Sequence, residues 1–385
     1  MFLLRALISL LAKSVDSFPL EPFENRSKDD TNMWTIGQEG PFDRHFTQYL
    51  DLLAPLFEPP HSADVGDLFE FVCCLVHPAG VEGLDENPLV ETTALIEDLI
   101  SFSRQELVAQ DFEHPNRTRA RLALLSYCHL TEGDFFYALL INLLRVRSGE
   151  QWAFAPFADL ARSIKTKKGI GTEKRIPPSP NKKIERLREY GAKARMPEIN
   201  AALNDIYVPE IRNAVFHADY TLSDTEFHMI RDYWHSPKGY LTRDVPLTEL
   251  LSLLDRSFAF YYAILNRHQL ARGKFVHLKN KAFPFDLRLK GLIEFLFEDD
   301  MICGFRVYWP NQQQAEFTRK SSGSHALNLW PELQGGLNID VGLCATTPGP
   351  FSPLVEDGDQ PAYTPALGRT IRPYWPEGDG LVALE

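Results

Sequence analysis

A chain of 385 residues that is 44% hydrophobic and 24% charged has the length for two or three domains and the apolar content for a sizeable core, which excludes a disordered polymer. A net charge of −12 argues against a protein that coats nucleic acid over its whole surface, because phosphate binding needs positive potential, but leaves room for a local basic groove. The five cysteines, Cys73, Cys74, Cys128, Cys303 and Cys344, form neither a CxxC pair nor an even set; they support neither a disulfide scaffold nor a zinc site, and they fit a reducing cytoplasm.

The opening MFLLRALISLLAK is apolar but runs for only about a dozen positions and carries Arg5, short of the roughly 20 residues that cross a membrane. No basic region precedes it and no small-x-small cleavage site follows, so it is read as an amphipathic helix packed on its own protein or on a partner, not as a membrane anchor or signal peptide. Between residues 14 and 90 a polar stretch, FENRSKDDTNM, gives way to short apolar runs broken by Pro55, Pro59, Pro60, Pro78 and Pro88. Residues 1–90 are therefore expected to form an accessory segment with short helices.

From residue 91 the pattern turns helical. TTALIEDLISFSRQELVAQ and TRARLALLSYCHLTEGDFFYALLINLLRVR predict two amphipathic helices; in the second, Leu122, Leu125, Cys128, Phe136, Leu139, Leu140 and Leu143 recur at steps of mostly three or four. A basic, loop-like region follows, with a PPSP break: residues 162–188 hold ten Lys or Arg against two Glu, a local charge of +8 that leaves the rest near −20. A helix is expected near residues 197–218, with Pro209 either kinking it or restarting it in a first turn. TEFHMIRDYW and GYLTRDVPL predict a short hairpin across SPKG, and LTELLSLLDRSFAFYYAILNRHQLA a long apolar helix that closes the section 91–272. Residues 273–385 read as a strand-rich C-terminal domain, through CGFRVYWP, AEFTRK, ALNLW and GLNIDVGLCA, with an irregular Pro/Gly-rich tail from residue 346. No internal repeat is visible.

The stretch RNAVFH, Arg212 to His217, lies on the expected helix near residue 200. An Arg and a His at such spacing decide nothing alone, since Arg272 and His277, and Arg319 and His325, match as well. Asn213 directly after the arginine, the small and apolar residues between, and Tyr220 beyond set the first pair apart.

RNAVFH resembles the R-N-x-x-x-H signature of the HEPN superfamily, helical bundles found in bacterial toxins, antiviral defence proteins and RNA-processing enzymes. The likeness extends over roughly residues 91–272, taking in HLTEGDFFYALLINLL, PPSPNKKIERLREYGAKA, the motif helix and the leucine-rich helix after it. It implies a mainly α fold: a HEPN-like helical bundle with an accessory N-terminal segment and a C-terminal β-rich, α+β region. It further implies a homodimer in which the motif helices of two protomers line one cleft. Some members carry His-x-Tyr, whereas this chain has His217-Ala218-Asp219-Tyr220, one residue longer.

Elementary chemistry points the same way. RNA carries its own nucleophile, the 2′-OH, so cleavage without a metal requires a proton carrier and a fixed cation. Histidine suits the first role, typically worth about 10²–10⁴-fold in rate. Arginine suits the second, its planar fork matching phosphate oxygens. Asn213 would orient them or bind the ribose. On an ideal helix Asn213 and His217 stand about 40° apart, but Arg212 and His217 about 140° apart, so Arg212 must reach round the helix or a second subunit must complete the site.

Further candidates are His129 and Glu132, three apart on a helix, as a supporting pair behind the catalytic residues or simply as a satisfied polar pair. Lys167, Lys168, Lys174 and Arg175, just ahead of the motif helix, would either steer RNA or belong to a solvated loop, and Tyr220 would contact substrate. Phe305, Tyr308 and Trp309 are read as core rather than as a stacking platform. KKGIGTEK lacks the P-loop order, no HExxH or GxSxG is present, and neither a metal nor a cofactor is expected.

The resulting expectation is a metal-independent endoribonuclease of bacterial antiviral defence or a toxin, cytoplasmic, with RNA as substrate and an antitoxin or defence-complex protein as partner. A non-catalytic RNA- or nucleotide-binding or assembly module is the alternative.

Overall fold

The structure, a computed structural model, describes residues 41–59, 65–76, 88–103, 115–153, 156–165, 173–235, 239–285, 291–308, 314–320, 323–325, 351–357 and 360–365. The opening apolar run, Lys167, Lys168, Trp309, Cys344 and the segments ALNLW and GLNIDVGLCA lie outside them. The described residues are mostly helical, with antiparallel strands gathered toward the C-terminus, an α+β arrangement.

Nine α-helices stand among the described residues: α1 (Pro41–Leu53), α2 (Val65–Val76), α3 (Pro88–Ser103), α4 (Pro115–Glu132), α5 (Asp134–Arg147), α6 (Pro180–Lys193), α7 (Pro197–Ile206), α8 (Pro209–Phe216) and α9 (Leu247–Gly273). The 27-residue α9 buries apolar side chains on nearly every side, as expected of a helix at the centre of a bundle. No helix among the described residues is long and apolar enough to cross a membrane.

Helix α1 lies on α9: Tyr49 meets Phe260 edge-on at 5.2 Å, Phe46 tilts against Tyr262 at 5.0 Å, and Arg267 Nε donates to the Leu50 carbonyl at 2.8 Å. Helix α2 is held to α9 by His268 Nε2, which donates to the Leu75 carbonyl at 2.6 Å. Side chains of α1 and α2 therefore belong to the same hydrophobic core as α9 and Phe305 of the C-terminal region, rather than to a separate accessory layer.

That C-terminal region is a five-stranded antiparallel meander in the order β12-β11-β10-β9-β8, from β8 (Ala282–Phe285), β9 (Gly291–Glu298), β10 (Met301–Tyr308), β11 (Gln314–Lys320) and β12 (Gly323–His325). Asp299 and Asp300 form the two-residue turn between β9 and β10 with φ of 47° and 61°, the left-handed values such a hairpin requires and Asp tolerates. Phe305 on β10 meets Phe69 of α2 edge-on at 4.9 Å, so it serves the core as expected.

Three expectations are corrected. The helix foreseen over residues 118–147 is broken at Gly133, whose low helix propensity and extended ψ of 104° let the chain turn between α4 and α5. The basic region is not wholly a loop: Arg162–Lys165 (β1) pairs with Glu173–Ile176 (β2), and α6 starts at Pro180, where proline at a first turn loses no bond. The tail beyond residue 346 includes an antiparallel pair, Phe351–Asp357 (β13) and Gln360–Pro365 (β14).

Candidate functional site

Pro209 restarts the motif helix rather than kinking it. Tyr207 and Val208 are extended, and α8 begins with the proline at its first position. Both chain ends at this break are satisfied by buried side chains: the Tyr127 hydroxyl of α4 accepts the Val208 N–H at 3.0 Å, and Ser257 of α9 donates to the Ile206 carbonyl at 2.8 Å. Two helices of the core thus fix where α8 starts.

The helix ends at the motif histidine. Ala218 adopts φ +53°, its N–H reaches the Val215 carbonyl, and the Asp219 N–H reaches that of Ala214 at 2.8 Å, the paired bonds that close a helix with a left-handed residue. His217 keeps its N–H bond to the Asn213 carbonyl at 2.9 Å, so the two share a face as the spacing predicts. Its ring is exposed and makes no hydrogen bond or ion pair among the described residues.

Arg212 is held by its neighbours on α8 and by α4. Its Nη1 donates to Asn213 Oδ1 at 2.9 Å, its Nη2 to the Glu132 carboxylate, and its guanidinium lies 4.4 Å from the centre of the Phe216 ring. Arg212 keeps 21% of its side chain exposed. Nε is buried and makes no hydrogen bond.

The break at Gly133 makes Glu132 the last residue of α4, where the helix dipole disfavours a carboxylate and a cation is a natural partner. The Cys128 thiol, one turn earlier, sits 3.8 Å from the Arg212 carbonyl. Burial pushes that thiol up to about 12 and the Tyr207 hydroxyl likewise to about 12, with the Arg212 cation opposing the rise in both; neither is a ready nucleophile. His129, three residues before Glu132, is exposed and makes no bond to it. Glu132 and His129 are therefore not a satisfied pair: the carboxylate faces Arg212.

The other residues singled out fall elsewhere. Tyr220, on β3 (Tyr220–Leu222), stacks on Phe227 of β4 (Glu226–Met229) at 4.9 Å and keeps part of its surface exposed. The hairpin foreseen across SPKG forms, with β4 paired to β7 (Asp244–Pro246) and β5 (Trp234–His235) to β6 (Leu241–Thr242). It is tied to the motif by Asp219, whose carboxylate meets Arg231 at 3.2 Å, and to the start of α4 by Arg117, which grips Asp224 at 2.9 and 3.3 Å.

Lys174 and Arg175 lie on β2, opposite Ile164 and Ser163 of β1. Much of the remaining charge of the basic region is neutralised, since Lys182, Lys183 and Arg186 of α6 pair with Glu185, Asp134 and Asp159.

Of the competing Arg–His pairs, Arg272 is turned into the core, its Nε donating to the Ile302 carbonyl at 2.7 Å, and His277 bonds the Lys274 carbonyl. Arg319 and His325 lie on β11 and β12. Among the described residues no group of three His, Cys, Asp or Glu is arranged to hold a metal ion. Sequence reasoning missed Phe216 as the ring under the guanidinium, although its place four residues after Arg212 carried the signal.

Comparison with protein-family models, with curated proteins and with solved structures finds no match to this chain.

Proposed function

We propose that this chain is a HEPN-type, metal-independent endoribonuclease that cleaves RNA through its own 2′-OH, leaving 2′,3′-cyclic phosphate and 5′-OH ends. One observation carries the reading: on α8 a part-exposed guanidinium, bonded to the Asn213 side chain, is followed five residues on by an exposed imidazole that has no partner among the described residues, at the C-cap whose backbone N–H bonds the Asn213 carbonyl. His217 takes the 2′-OH proton. Arg212 stabilises the charge on the pentacoordinate phosphate, and Asn213 and Glu132 hold it in place.

The exposed apolar side chains Phe216, 52% accessible, and Leu125, 57% accessible, support a homodimer in which a second protomer covers α8 and completes the cleft. The biological setting that fits the resemblance is bacterial antiviral defence or toxin action in the cytoplasm, together with an antitoxin or defence-complex protein.

A second reading, a non-catalytic module that binds RNA or a nucleotide, is favoured by the neutralisation of Arg212 by Glu132 in the single chain. Purified wild type and His217→Ala, incubated with total and tRNA-sized RNA in EDTA, separate the two. The ribonuclease reading expects fragments from wild type alone and equal RNA affinity for both proteins. Binding without turnover under any condition favours the module.

A further inference from the structure

Cleavage through the 2′-OH moves two protons: one leaves the nucleophile, and one must reach the 5′ oxygen as its bond to phosphorus breaks. His217 accounts for only the first. We infer that His129 supplies the second, as the catalytic acid that protonates the departing 5′ oxygen; this rests on the ribonuclease reading.

The placement carries the inference. His129 stands three residues before Glu132 on α4, and side chains at that spacing are neighbours, about 5–6 Å apart at their Cβ atoms. Glu132 holds Arg212 directly, and Cys128, adjacent to His129, touches the Arg212 carbonyl with its thiol at 3.8 Å. The last turn of α4 therefore lies against α8 at the motif arginine. From Arg212 the chain climbs about 7.5 Å along the axis to His217. His129, next along α4 to residues that contact Arg212, and His217, at the end of α8, are both exposed and both without a hydrogen bond among the described residues.

Three other histidines are committed elsewhere. His228 is bonded to Asp244 at 2.5 Å, His268 is buried against the Leu75 carbonyl, and His277 faces the Lys274 carbonyl.

The step balances. His217 accepts the 2′-OH proton as the 2′ oxygen forms its bond to phosphorus, and Arg212 holds the charge on the nonbridging oxygens. The P–O5′ bond breaks with its electron pair passing to the 5′ oxygen, and the His129 imidazolium delivers its proton there. The products are the cyclic phosphate and a 5′-OH, with His217 protonated and His129 neutral until water exchanges the two protons.

Sulfur in place of the 5′ bridging oxygen leaves as a thiolate and needs no acid, so the same oligonucleotide with and without that substitution isolates the role. With full-length His129→Gln, an exposed and conservative change, single-turnover cleavage of the oxygen substrate should fall about 10²–10⁴-fold. Cleavage of the sulfur substrate should stay within a few fold of wild type, while His217→Gln loses both. Wild-type activity with His129→Gln equally fast on the oxygen substrate, or equally slow on both, overturns the inference and leaves the ribonuclease reading standing. Wild type inert on both substrates overturns that reading and this inference together. Matching thermal unfolding of variant and wild type shows that the fold is retained.

Discussion

The Arg212 guanidinium has two of its groups in use within the chain, one on Asn213 and one on Glu132. With Glu132 35% exposed and Arg212 21% exposed, solvent screens the pair, and its contribution to stability is under about 1 kcal/mol. On the proposed reading its value lies in orientation: the carboxylate fixes where the cation sits while opposing an incoming phosphate. Glu132→Gln should therefore leave the melting temperature within a few degrees of wild type. KM should stay level or fall while kcat drops about tenfold, a loss of about 1.4 kcal/mol of transition-state stabilisation. A rise in KM with unchanged kcat in steady-state RNA cleavage would refute the positioning role. On the proposed ribonuclease reading, Arg212→Ala removes the charge stabiliser and should cost about 10²–10³-fold in kcat, read in the same assay.

Helix α8 has only eight residues, too short to hold itself, and its start depends on Tyr127. Replacing Tyr127 with Phe leaves the Val208 N–H without its acceptor in a buried setting, at a cost of about 1–3 kcal/mol in urea unfolding. Periodicity revealed the helical span of α4 and α5, read as one helix, and α9, while the proline at position 209 marked a kink or a restart that proves to be the start of α8, because apolar spacing and ring geometry are local properties. The break at Gly133 was hidden, since the apolar pattern runs on through Phe136 on the far side of it. The ribbon β1–β2 was hidden for another reason: short strands rich in Lys and Arg, RSIK and EKRI, lack the aliphatic alternation that marks a half-buried sheet. The face shared by Asn213 and His217 was legible from spacing alone. The pairing of Arg212 with Glu132 was not, because 80 residues separate them and only the tertiary fold brings them together.

At the scale of the whole molecule, one core runs from α1 through α9 to the C-terminal sheet, and buried titratable groups tie its stability to pH. His268 is lowered to about 4, first by burial and then by the Arg272 cation, against the bond to the Leu75 carbonyl. The unfolded chain therefore binds a proton that the folded chain refuses between about 6.5 and 4, so this contribution is complete above the unfolded value and is lost as pH falls through that window. Asp255 acts in the opposite direction: burial raises it to about 7, against the pull of Arg256, and its contribution is lost as pH rises through that value. Urea midpoints of wild type and His268→Gln between pH 7 and pH 4 should converge as the medium becomes acid; a constant gap would contradict the assignment. The most direct test of the account as a whole is end-group analysis of RNA fragments made by the full chain in EDTA. It predicts 2′,3′-cyclic phosphate and 5′-OH ends, absent with His217→Ala. Cleavage that requires Mg²⁺, leaves 5′-phosphate ends, or survives the loss of both His217 and Arg212 contradicts it.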